Sequence, residues 1–105
     1  MPKKSNYDVH VDDEAYSKLL RHMRFLSQAS IPASKRMYIA YEKTLTYIGK
    51  TPNACPPYLL EQTIDEELRC KLFYKRYLLV FSIVGKDVYI LDVQDCRQSS
   101  DKNLV

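Results

Sequence analysis

Between Arg69 and Tyr77 the sequence reads RCKLFYKRY. Four basic residues, Arg69, Lys71, Lys75 and Arg76, occur there without an acid, and Phe73, Tyr74 and Tyr77 are interleaved with them. Cations beside aromatic rings suit a nucleic acid: ammonium and guanidinium groups neutralise phosphates, and rings stack on bases. Strand periodicity places Arg69, Lys71 and Lys75 on one face and Cys70, Leu72 and Tyr74 on the other. If the second set faces the core, the basic set faces outward. The same pattern also fits a solvated polar face, whose lysines discourage edge-to-edge pairing.

A second group closes the last apolar run. VYILDVQDCRQSSD, residues 88–101, passes from strand-forming residues to Asp95, Cys96 and Arg97, with no Gly or Pro to explain a turn. An arginine at that rim can hold a phosphate or stabilise charge in a transition state, or simply pair with Asp95 or Asp101. Asp95 suits a turn or the orientation of an arginine, and Cys96 reads as a packed thiol. His10 and His22 have no obvious partner and read as surface residues. Cys55, Cys70 and Cys96 are odd in number, far apart and without a CxxC pair, so neither a disulfide framework nor a zinc site is expected. No metal or other cofactor is expected. The sequence has no Ser-His-Asp arrangement, Gly-rich phosphate loop or paired-carboxylate signature.

The elements that must position these residues follow from periodicity. With 105 residues, 46% of them hydrophobic and 28% charged, the chain fits one modest core, a single domain over 1–105 with flexible ends at 1–5 and 99–105. The net charge of +3 permits a polyanionic partner without demanding one. The longest apolar run, Tyr77–Val84, is strand-sized, and the N-terminus lacks an apolar signal region, so a cytoplasmic protein without a membrane span is expected. NYDVHVDD alternates as a half-buried strand, with Tyr7, Val9 and Val11 on one side. Asp12 or Asp13 then caps a helix whose apolar stripe is Ala15, Leu19, Met23 and Leu26. Ser30 and Pro32 start a second helix carrying Ala33, Met37, Ala40, Tyr41, Leu45 and Ile48, with Gly49 placed to end it. The prolines of residues 50–68 block regular structure, apart from a possible short turn of helix at YLLEQ. LRCKLFYK, YLLVFSIV and VYILDV then form an antiparallel meander, the last two joined at Gly85-Lys86-Asp87. The expected fold is α+β, in the order β-α-α-β-β-β, with a helical hairpin on one face of an antiparallel sheet.

This order and this ending resemble the RelE/ParE toxin superfamily of bacterial type II toxin–antitoxin systems. The resemblance runs from about Tyr7 to Gln98 and rests on YKRYLLVFSIVGKDVYILDVQDCRQ, similar to the family's closing meander and Arg-containing tail. It implies a toxin that a cognate antitoxin neutralises with an acidic or amphipathic segment. In members that cut messenger RNA on the ribosome, basic sheet residues and an arginine after the last strand lie along the RNA. By that likeness Arg69, Lys71 and Arg97 are the catalytic candidates, Lys75, Arg76, Tyr74 and Tyr77 bind nucleic acid, and Asp95 orients. Such enzymes orient a ribose 2′-OH in line with the scissile phosphate and need no metal. Leu78 stands where many ribonuclease members carry Arg, and QSSDKNLV offers no terminal Tyr or His. The resemblance implies a ribosome-dependent messenger RNA endoribonuclease first, and by those departures, as alternatives, an inhibitor of DNA gyrase or a degenerate toxin that only binds its antitoxin.

Overall fold

Asp12 decides where the first strand stops. Its backbone is extended (φ −64°, ψ 143°), and its carboxylate accepts the Glu14 N–H at 3.2 Å, which satisfies one of the free donors of the helix that follows. The computed structural model describes residues 6–58 and 68–96. In chain order these form β1 (Asp8–Val11), α1 (Asp13–Ala29), α2 (Ile31–Lys50), a 3-10 turn (Pro52–Ala54), β2 (Leu68–Phe73), β3 (Tyr77–Val84) and β4 (Asp87–Asp95). Ser30 alone joins the helices: it ends α1, and its hydroxyl accepts the Ala33 N–H at 3.1 Å to start α2, where Pro32 fits the first turn. Gly49 does not end α2. The helix runs to Lys50, and Gly49 is buried where its carbonyl accepts the Tyr7 N–H.

The protein is α+β, two helices on a four-stranded sheet of order β1-β4-β3-β2. The meander β2-β3-β4 is antiparallel, as expected, and β3 is central and apolar on both faces. β1 departs from the expected antiparallel sheet, because it pairs with β4 in parallel, Val9 opposite Val88 and Val11 opposite Ile90. The helical hairpin causes this. Its two legs go out and back, so β2 begins in the sense of β1, and two reversals later β4 runs in that sense again. Among the described residues no helix is long and apolar enough to cross a membrane.

The core lies between the helices and one sheet face. α1 contributes Ala15, Leu19 and Leu26, α2 contributes Met37, Tyr41 and Ile48, and the sheet contributes Phe73, Tyr77, Leu79, Phe81, Val88, Ile90 and Val93. The alternation of β4 breaks once. Val80 pairs with Asp92 but Phe81 pairs with Ile90, so Leu91 is an extra residue, a β-bulge. Before the bulge Val88 and Ile90 face the helices; after it Val93 and Asp95 do.

The outward orientation expected for Arg69 and Lys71 is reversed. Phe73 is buried against Tyr41 and Tyr77, and period 2 carries Arg69 and Lys71 onto that same helix-facing side. Cys70 and Leu72 take the open face instead, with Leu72 exposed. The residue that buries best sets the register, and Phe73 displaces more apolar area from water than Cys70 or Leu72. Lys75 leaves the strand altogether. Tyr74 (φ 53°) and Lys75 (φ 59°) form the turn between β2 and β3, closed by Arg76 N–H to the Phe73 carbonyl at 3.3 Å. Two successive left-handed residues match the turn that right-twisted strands prefer, a geometry usually supplied by Asn-Gly. Here two residues with Cβ atoms adopt it, at a cost of order 1 kcal/mol each. The Gly85-Lys86 turn spends a glycine on the same problem (φ 62°). Lys75→Gly should therefore stabilise the fold by roughly 0.5–1 kcal/mol, seen as a raised urea midpoint with an unchanged slope. A lowered midpoint would show that the lysine side chain contributes more than the strain removes.

Candidate nucleic-acid interface

The reversed register brings β2 cations alongside α2. Lys71 Nζ lies 4.9 Å from the centroid of the Tyr47 ring, and Tyr47 remains 42% exposed. Tyr47 shares a helical stripe with Lys43, one turn before it, and Lys50, one turn after it; Arg36 precedes Lys43 by two turns. All three bases are exposed. α2 carries Lys35, Arg36, Lys43 and Lys50 against the single acid Glu42. The result is a ridge of cations around a tyrosine ring. Sequence reasoning found Lys71 but not its neighbours on α2, although the seven-residue recurrence of Arg36, Lys43 and Lys50 was a visible signal.

Arg69 serves the fold at the start of this ridge. Its guanidinium donates to the carbonyls of Cys55 (2.7 Å) and Asn53 (3.4 Å), tying the segment after α2 to β2. That segment then pairs along β2, Cys70 N–H to Pro56 and Tyr58 N–H to Leu68. Cys55 beneath it is buried, and burial pushes its thiol up despite nearby Lys71 and Arg69. Burial likewise raises the Cys70 and Cys96 thiols, which makes all three poor nucleophiles near neutral pH.

At the hairpin turn the expected RNA-binding set divides. Lys75 is exposed and Tyr74 is half-buried against the core. Tyr77 is buried at 1% exposure between Phe73 and His22, so it offers no face to a ligand. Arg76 pairs with Asp95, Nε to Oδ1 at 3.3 Å and Nη2 to Oδ2 at 3.2 Å, with side chains only 15% and 5% exposed. The hydrogen bonds to Asp95 push the guanidinium up, burial opposes them, and the charge of Asp95 adds to the rise. Asp95 is thus an arginine-orienting residue, and the arginine in view is Arg76. Arg97 lies outside the described residues, as do all of YLLEQ after Tyr58 and both chain ends.

His22, expected at the surface without a partner, is half-buried and partnered. β1 ends opposite Ile90, which leaves the later part of β4 with a free edge, and α1 covers it. His22 Nε2 donates to the Val93 carbonyl at 2.9 Å, and Lys18 pairs with Asp92. Burial alone would raise the Asp92 carboxyl, but hydrogen bonds from Lys18 and Gln94 and the lysine charge outweigh it and hold it below the ordinary range. His10 is exposed as expected, yet partnered: it meets Asp87 at 2.9 Å and stacks on Tyr89 at 5.0 Å. Among the described residues no group of three His, Cys, Asp or Glu is placed to hold a metal ion. Compared with protein-family models and with curated proteins, the chain matches none.

Two outcomes follow from this geometry. Asp95→Ala leaves a largely buried guanidinium without its carboxylate and should cost about 3 kcal/mol in urea unfolding; a loss under about 1 kcal/mol would show that the pair is dispensable. Asp92, with its folded pKa depressed, contributes stability that is present above the unfolded value near 3.9 and is lost as pH falls through the folded value. Urea midpoints measured downwards from pH 6 should therefore fall less steeply for Asp92→Asn than for the parent chain.

Proposed function

We propose that the protein is a growth-inhibiting toxin of the RelE/ParE kind, acting in the cytoplasm on RNA and held in check by a cognate antitoxin. The observation that supports this reading best is the acid-free ridge of Arg36, Lys43, Lys50 and Lys71 around Tyr47. Such a surface attracts a phosphate backbone and offers one ring for a base to stack on. In this reading Lys71 neutralises a phosphate of a messenger RNA bound on the ribosome. Arg97 takes the catalytic part that the family likeness gives it, and the attacking group is the neighbouring ribose 2′-OH, so the cleavage is metal-independent. Arg69 acts at one remove, by holding the chain that buttresses the ridge.

A second reading has its own support. The guanidinium groups of Arg69 and Arg76 are turned onto the Cys55 carbonyl and Asp95, and Leu78 stands where a ribonuclease arginine is expected. A toxin that binds DNA gyrase, or a degenerate one that binds only its antitoxin, needs none of these groups free.

Induced expression in bacteria with two readouts separates the readings. We expect growth arrest with loss of messenger RNA integrity; a DNA-damage response with filamentation supports the gyrase reading, and normal growth excludes both of these and supports the degenerate toxin. A Lys43→Ala/Lys50→Ala/Lys71→Ala variant should fold normally and cleave at least about tenfold less, since each lost phosphate contact weakens binding to any RNA sequence. If that variant folds and stays fully toxic, the ridge is not the working surface.

A further inference from the structure

The last turns of α1 and the β2–β3 turn border an open groove of about 390 Å³, lined by Phe25, Leu26, Gln28, Ala29 and Arg76. That volume is at the small end of ligand clefts, which run from about 300 to 1,000 Å³. Two side chains of the groove, Phe25 and Gln28, make no hydrogen bond, ion pair or ring contact among the described residues. Phe25 is 58% exposed, a large ring left in water beside a helix that buries Leu26. Gln28 is exposed on the same stripe, three residues on. Arg76 forms the far wall with its plane fixed, because Asp95 holds Nε and Nη2 and the guanidinium carbon sits 5.1 Å from the Tyr77 ring centroid.

We infer that this groove holds one base of a single-stranded RNA. The inference rests on the reading of the protein as RNA-directed and adds a base-binding position to it. Phe25 supplies the stacking surface, Gln28 presents a donor and an acceptor to a base edge, and Arg76 meets the flanking phosphate as a preoriented fork. The charge around the groove fits that occupant. From Ala15 to Ala29, α1 carries Lys18, Arg21 and Arg24 and no acid, and Arg21 lies one turn before Phe25 on its stripe. Lys75, next in sequence to Arg76, is held out at the turn in its strained conformation. A duplex does not fit, because its bases are already stacked and paired, whereas a single strand offers free base faces. An acidic peptide would satisfy the arginines but would gain little from an exposed phenyl ring.

The test is fluorescence anisotropy on the full chain. The probes are labelled oligouridylate and oligoadenylate of roughly ten nucleotides, within the usual span of a single-strand site. A duplex of the same length and a polyglutamate peptide serve as competitors. Phe25→Ala should weaken single-strand binding about tenfold, the loss of one stacked base. It should leave the slope of log affinity against log salt unchanged, because no charge is removed. Phe25→Trp should restore binding, and both variants should melt like the parent chain, since the ring is exposed. Gln28→Ala should change the preference between the two oligonucleotides. Phe25→Ala binding within twofold of the parent, a duplex that competes as well as the single strand, or polyglutamate that competes and is itself lost on Phe25→Ala each overturns the inference. Neither toxicity nor cleavage enters this measurement. A chain that binds through Phe25 yet arrests no growth keeps the groove and loses the toxin reading; a chain that cleaves RNA regardless of Phe25 does the reverse.

Discussion

The pairing of Arg76 with Asp95 is the constraint from which the working end of the molecule is built. A carboxylate only 5% exposed at the end of β4 is costly to bury unless a cation meets it with good geometry. Arg76 does so with two nitrogens, and its carbonyl also accepts the Cys96 N–H at 2.7 Å. The residue that ends the β2–β3 turn is thereby fixed to the residue that ends the last strand. That explains how Tyr74 and Lys75 persist in left-handed backbone without glycine: the turn is held from both sides, by Phe73 pairing with Tyr77 and by Arg76 clasping Asp95.

Packing carries this constraint inward. Tyr38, Tyr41, Phe73, Tyr77 and His22 form a row of rings 5.5–6.1 Å apart that runs from α2 through β2 and β3 to α1. Tyr41 in the middle is dry enough that its hydroxyl is pushed up to about 12, chiefly by burial. Tilted rings at these distances attract beyond their buried area. The row therefore fixes both helices to the same two strands, and it places Tyr47 beside Lys71 on one flank and the end of α1 beside Arg76 on the other.

Charge is distributed along the same lines. Bases concentrate on α2, on the second half of α1 and between Arg69 and Arg76; β4 and the start of α1 hold Asp87, Asp92, Asp95, Asp12, Asp13 and Glu14. A net charge of +3 conceals this separation. The sheet face turned away from the helices has Val80, 3% exposed, and Asp92 at its centre. It carries Leu72, Val84, Tyr89 and Leu91, all partly or wholly exposed, so the surface first expected to meet a polyanion is largely apolar.

Most of the architecture was legible in the sequence because it rests on local physics. Asp12 and Ser30 cap helices through their own side chains, the apolar stripes of α1 and α2 recur at the helical period, and Gly85-Lys86 turns the last hairpin. The basic content of Arg69–Arg76 was equally plain. What each base faces was not, because strand alternation defines two faces without saying which is buried, and only the fit of Phe73 against Tyr41 and Tyr77 settled that choice. The parallel seat of β1 depended on where the helical hairpin returned the chain. The bulge at Leu91, which turns Val93 and Asp95 inward, is set by the pairing of Val80 with Asp92 and of Phe81 with Ile90, which the order of residues in DVYILDVQD does not specify. Sequence by itself determined which elements form and which side chains carry charge. Tertiary structure alone decided which cations are spent on the fold, as Arg69 and Arg76 largely are, and which remain for a ligand, because partners distant in the chain meet only when the sheet closes.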